Sequence, residues 1–193
     1  MSLSERVYRA LIVSKTEKFT TEFGSLLSAE RFLSDHATNA GAARRGVLEK
    51  TYDFVVVNAP LTDEFGTRLC MDISLSAGTI AVIFAPSEVY DEIVHKAASN
   101  GVFVIKKPAS QQTVIQSLSL LISARERLRS VEKKAGKAQN KLEEIRVVNR
   151  AKWLLIDNED MNENDAHKAI EKAAMDAGIT KMQAAQMIIE KYR

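Results

Sequence analysis

At 193 residues the chain is long enough for one ordinary domain with an appended module. Hydrophobic residues make up 46% and charged residues 27%, enough to bury a core and stay soluble. A formal net charge of +2 gives no argument for nucleic acid by itself, so such a surface must come from local segregation of charge. Cys70, the single cysteine, excludes an internal disulfide and a cysteine-rich zinc site. Met1 to Arg6 lacks the apolar core of a signal peptide, and no apolar run is long enough for a bilayer. A soluble cytoplasmic protein with no membrane association is expected.

Short apolar, β-branched runs occur at Ala10–Val13, Phe54–Val57, Ile80–Phe84 and Val102–Ile105. Each is apolar on both faces, as strands of a parallel sheet covered by helices must be. A weaker run, Ala29–Leu33, reads as an edge strand. Helix-compatible stretches separate them at Glu17–Leu27, Ala37–Lys50, Glu64–Ser76 and Val89–Ser99, the last closed by Asn100-Gly101. The alternation predicts an α/β fold: a doubly wound (βα)5 sheet over residues 1–123, with Val114–Ile122 in its fifth helix.

After Pro108 the pattern changes. Leu121, Ala124, Leu128, Val131, Ala135, Ala138, Leu142 and Ile145 follow a three-four spacing, the mark of a coiled-coil seam. A long coiled-coil helix is expected, with residues 124–145 as the linker. A helix with so narrow an apolar stripe needs a partner chain. A homodimer is therefore expected through Leu121, Leu128, Val131, Leu142 and Ile145. Arg125 to Lys141 holds seven Lys/Arg and two Glu, a local net charge of +5. Such a run reads first as a solvated face and second as a phosphate-contacting one.

Residues 146–193 read as a small three-helix module. Its first helix continues the coiled coil through Ala151, Leu154 and Leu155 and ends in an acidic loop, Asp157–Asp160. The second is capped by Asn162, buries Ala166, Ile170, Ala173 and Ala177, and stops at Gly178. Thr180 and Gln183 form a capping box for the third, which buries Met182, Ala185, Ile188, Ile189 and Tyr192.

In a doubly wound sheet chemistry sits at the carboxyl ends of the strands. The strand Ala10–Val13, the stretch Tyr52–Pro60 with Gly66 beyond it, and Ile105-Lys106-Lys107-Pro108 together resemble the receiver domain of two-component response regulators, over residues 6 to 123. The resemblance implies an acidic pair holding Mg²⁺, a phosphoryl-accepting aspartate, a responding Ser/Thr and a lysine. Here Ser14 and Lys15 stand for the acidic pair, Asn58 for the aspartate and Ala85 for the Ser/Thr. Ser87 lies close to the last of these, and Lys107 remains. Asn58 has no nucleophilic carboxylate and Lys15 brings positive charge where a cation would sit. A degenerate pocket is expected, with no aspartyl phosphorylation, no metal and no cofactor. Asn58 and Lys107 either hydrogen-bond in place of the phosphate chemistry or stand as two polar residues at the sheet's mouth. His36, His95 and His167 have no ligand-like spacing, no Ser-His-Asp or Cys-His set can be drawn, and no catalytic residue is expected.

The segment Val148–Leu155, with Asn162–His167, Ala174-Met175 and Met182 to Ile189, resembles the ANTAR domain over residues 140 to 192. That family comprises three-helix RNA-binding modules of bacterial transcription antiterminators. His167 stands where the family usually has tyrosine, and Trp153 where it usually has glycine. The resemblance implies binding of RNA hairpins by paired modules. Lys141 to Arg193 has nine Lys/Arg against ten Asp/Glu, but the acids gather at 157 to 165. That leaves Arg150, Lys152, Lys168, Lys172 and Lys181 as a basic face, with His167 and Trp153 as rings for base stacking. Each lysine could equally be a solvated residue, and Trp153 could pack in a core or a dimer. A dimeric RNA-binding antitermination regulator, with a protein or ligand input replacing phosphorylation, is the leading expectation. The alternative is a phosphorylation-independent protein-interaction adaptor using the coiled coil and helical tail. A DNA reader is disfavoured, because Lys181 to Arg193 is too apolar for base readout.

Overall fold

The computed structural model describes residues 6–27, 31–76 and 78–192. Two compact units emerge, Met1–Ser130 and Val131–Arg193, divided within the expected linker. In the first, strands β1 (Tyr8–Ser14), β2 (Phe32–Ala37), β3 (Phe54–Asn58), β4 (Ile80–Pro86) and β5 (Phe103–Lys107) alternate with helices. The helices are α1 (Glu17–Leu26), α2 (Ala40–Glu49), α3 (Thr67–Ser74) and α4 (Tyr90–Ala97), followed by α5 (Gln111–Glu159). The sheet order is β2-β1-β3-β4-β5, with every neighbouring pair parallel. The chain reverses its winding between β1 and β3, which opens a crevice at their carboxyl ends.

The two-residue period of the strands divides the core between the faces. Leu11, Val13, Val55, Val57, Ala81 and Ile83 point to one side, where they meet Ala43 of α2, Leu69 of α3 and Ile93 of α4. Tyr8, Ala10, Ile12, Phe54, Val56, Val82 and Phe84 point to the other, onto Phe23 of α1 and Val114 and Leu121 of α5. The central strands are buried on both faces, as their composition requires. The expected edge strand is present as β2, shifted to begin at Phe32, while Ala29 and Glu30 lie outside the described residues. At the other edge Phe103 of β5 stays 42% exposed, so full coverage stops short of this strand. Gly66, ahead of α3, has φ +104°, and a Cβ there would meet Val57 Cγ1 at 2.7 Å, so this turn admits only glycine.

One expected seam residue changes role. Leu121 is 3% exposed and packs on the sheet of its own chain, so it is spent there and not offered to a partner. Burying a leucine outright is worth about 1.5–3 kcal/mol, which settles the competition in favour of the local core. The basic run is also partly internal. Arg125 Nε donates to Asp53 Oδ1 at 3.0 Å and Arg129 Nη2 donates to the same oxygen at 2.6 Å. The other Asp53 oxygen accepts from the Arg9 amide at 3.0 Å. Beside it, Glu126 pairs with Arg6 and accepts from the Tyr8 hydroxyl at 3.2 Å. Burial works against the Glu126 charge, yet the hydrogen bonds from Arg6 and Tyr8 hold its carboxyl below the usual glutamate range.

In the second unit the C-terminal part of α5 packs with α6 (Glu163–Ala177) and α7 (Lys181–Lys191) around Ala151, Leu155, Ala166, Ile170, Ala174, Ala184 and Ala185. The expected caps are in place. Asn162 Oδ1 accepts from the Asp165 amide at 2.9 Å, Gly178 ends α6 at φ +64°, and Thr180 with Gln183 forms the capping box. Two expectations are corrected. Ala174 fills the core where Ala177 was expected, and Ala177 is exposed. Asp157, Asn158 and Glu159 are helical, because Asn158 Nδ2 caps the Leu154 carbonyl at 2.8 Å and Glu159 is held by Lys191 at 2.9 Å.

Asp53→Ala removes the enclosed carboxylate that Arg125, Arg129 and the Arg9 amide share, and we expect a loss of about 3 kcal/mol in urea unfolding. Glu126 supplies a pH signature. Its folded carboxyl titrates below the ordinary 4.5, so its contribution is complete above that value and disappears as the pH falls through the folded pKa. Glu126→Gln should therefore lose that component of the acid limb when Tm is followed against pH.

Candidate functional site

At the carboxyl end of the sheet Ser14 and Asn58 stand in register on adjacent strands. Asn58 Nδ2 donates to Ser14 Oγ at 3.1 Å, and Lys107 Nζ donates to Asn58 Oδ1 at 2.8 Å and to the Ala59 carbonyl. Ser14 Oγ also accepts from the Thr16 amide at 3.1 Å, which closes the β1–α1 turn. Of the two sequence readings of Asn58 and Lys107, the bonded one is observed. Burial first, and the nearby Lys15 charge second, lower the Lys107 pKa. Lys15 itself is exposed. Ala85 is fully buried and has no hydroxyl, while the exposed Ser87 donates to Glu88 at 3.5 Å.

These residues do not fit the Mg²⁺ that the receiver resemblance implies. A hard dication needs anionic oxygen ligands, and Ser14, Lys15 and Asn58 supply a hydroxyl, an ammonium and an amide whose oxygen already serves Lys107. Among the described residues, no group of three His, Cys, Asp or Glu side chains could hold a metal.

The second unit sorts the predicted basic residues into two classes. Lys152, only 16% exposed at its side chain, pairs with Glu163 at 2.8 Å. Lys181 pairs with Glu171, which also takes His167 Nε2 at 3.4 Å. These three side chains are held by carboxylates of their own module. Lys168 and Lys172 are exposed one turn apart on α6, opposite the buried Ala166, Ile170 and Ala174. Arg150 is exposed and lines a groove with Arg146, Gln186 and Glu190. Lys168, Lys172, Arg150 and Arg146 make no ion pair among the described residues. Arg146 was missed by the sequence reading, although its spacing one turn before Arg150 was available as a signal. Trp153 is 70% exposed, which removes it from the module's core. It falls at helical spacing with Leu142, Arg146 and Asn149, away from Ala151 and Leu155.

The hydrogen bonds at the sheet's mouth carry a measurable cost. Lys107→Ala leaves Asn58 Oδ1 and the Ala59 carbonyl without their donor, so urea unfolding should show a loss of about 1–3 kcal/mol.

Comparison with known proteins adds to this geometry. Residues 136–189 match the family model described as the ANTAR domain. The chain is 29% identical over 140 residues to the transcriptional regulatory protein PdtaR of Mycobacterium tuberculosis, a match covering 72% of this chain and 67% of that protein. Among solved structures, the signal receiver domain of an HD domain-containing protein from Pseudomonas fluorescens Pf-5 superposes with a TM-score of 0.59 at 20% identity, covering 67% of this chain and 96% of that one. A CheY-like receiver domain protein from Methanospirillum hungatei JF-1 gives 0.54 at 18% identity, covering 63% and 98%. At those identities the likeness concerns the fold. The chain thus carries an ANTAR domain at residues 136–189 and, ahead of it, an α/β unit with the receiver fold.

Proposed function

We propose that this chain is a transcription antitermination regulator that binds RNA hairpins as a dimer, with a receiver-like unit that no longer accepts a phosphoryl group. The match of residues 136–189 to the ANTAR domain carries the reading, and the name of the mycobacterial relative supports a role in transcription. The proposed contacts are electrostatic ones from Lys168, Lys172, Arg150 and Arg146 to phosphates, with Lys152, His167 and Lys181 released to RNA only by giving up Glu163 or Glu171. The reading assigns no enzymatic step, and its place of action is the cytoplasm. No helix among the described residues is long and apolar enough to cross a membrane.

The proposed dimer uses apolar side chains that α5 leaves uncovered. Leu128, Val131, Leu142 and Ile145 are 44%, 56%, 56% and 46% exposed, and Trp153 shares the face of Leu142. Pairing would bring two modules onto one RNA and raise the affinity through effective concentration. Leu142→Asp with Ile145→Asp should convert the dimer to a monomer in sedimentation equilibrium. Retention of the dimer would place the contact elsewhere.

RNA binding is tested by gel shift with hairpin RNA and duplex DNA across a salt series. We expect hairpin binding that weakens with salt, and a slope reduced by about 1 for each of Lys168→Ala and Lys172→Ala. Lys152→Ala should act less on the slope, since its charge is already paired. Absence of hairpin binding with a partner protein still captured would support the adaptor in place of the RNA regulator.

A further inference from the structure

A cavity of about 760 Å³ opens beside the sheet's carboxyl end, bounded by α1, the turn after β4 and the start of α5. Its apolar wall includes Phe19, Phe84 and Val114, and its polar rim includes Glu22, Glu88 and Lys107. Phe19 stands edge-on to Phe84 with ring centroids 5.2 Å apart, and Phe19 stacks on Phe23 at 5.7 Å. The volume is that of a drug-sized ligand site, and aromatic walls with a few polar groups are what such sites are built from.

The charges select the ligand class. Lys107 gives hydrogen bonds to Asn58 and the Ala59 carbonyl, and the carboxylates of Glu22 and Glu88 outnumber its single positive charge on the lining. Glu22 has only a loose exposed contact with Lys18, at 3.9 Å, and Glu88 is exposed with Ser87 as its hydrogen-bond partner. A pair separated that far on the surface is worth little and yields easily to a closer cation. Half-buried Phe19 lines the cavity, and aromatic rings attract cations.

We propose that this cavity is a binding site for a small organic cation with a flat aromatic body. The body lies against Phe19 and Val114, and the charge faces Glu22 and Glu88. Its walls include Lys107 and the first turns of α5, so occupancy bears on the Lys107–Asn58 bond and on the residues that begin the long helix. The site lies within the first unit and is independent of the RNA-binding reading.

The test uses the full chain and two dyes of opposite charge. Thioflavin T, a flat aromatic cation, should give a saturable one-site fluorescence rise. The anion 8-anilinonaphthalene-1-sulfonate should bind more weakly and should not displace it. The exposed pair of changes Glu22→Gln and Glu88→Gln should raise the Kd for thioflavin T by about fivefold while thermal unfolding is unchanged. Ser25→Trp, at an exposed position of α1 lining the cavity, should block the site. No saturable binding, a Kd indifferent to the loss of both carboxylates, or tighter binding of the anion would each overturn the proposal.

Discussion

The hydrogen bonds that join Lys107 to Asn58 and Asn58 to Ser14 are the constraint around which the first unit is arranged. A parallel sheet brings the ends of β1, β3 and β5 to one edge, and whatever polar side chains stand there must be satisfied together. An asparagine can do what an aspartate could not. Its amide donates to a serine on one side while its oxygen accepts from a lysine on the other, with no anion to balance. The lysine's charge is accommodated at some cost, since burial and Lys15 both press against it. On the proposed reading, the site has exchanged a switchable charge for a fixed set of neutral acceptors.

At the opposite end of the strands a second polar cluster fixes α5. Asp53 takes two arginines from consecutive turns of the helix and a backbone amide from β1. Leu121 and Val114 supply the apolar contact, and the arginines supply its register. Truncation of one partner in so enclosed an ion pair costs more than the pair itself contributes, so the cluster specifies where the helix sits more than it adds to stability. The unit therefore extends past the last apolar residue that packs on the sheet.

Much of this was legible in the residues. The β-branched runs located four strands; in β1, β3 and β4 burial on both faces leaves no polar alternation to mislead, and the edge strand β2 was harder for the opposite reason. Asn162, Gly178 and the Thr180–Gln183 pair announced the helix ends, since caps are local chemistry. Ser14, Lys15, Asn58 and Ala85 could each be placed at a strand end one at a time. What stayed hidden depends on distant partners. Nothing near Arg125 tells that Asp53, 72 positions away, claims it, nor does Lys152 show that Glu163 already neutralises it. Leu121 fits a coiled-coil spacing and a sheet-facing helix equally well, and only the packing decides between them. In the same way the basic face, a single set by composition, divides into lysines paired with carboxylates of their own module and exposed lysines with no ion pair among the described residues.

Joining the two ends gives a testable account: a regulator whose RNA affinity does not pass through phosphoryl chemistry. The most direct measurement is the affinity of the full chain for a hairpin RNA before and after incubation with acetyl phosphate and Mg²⁺, with the intact mass recorded in parallel. The account predicts an unchanged mass and an unchanged Kd. A phosphoryl adduct accompanied by a shift in RNA affinity would contradict it.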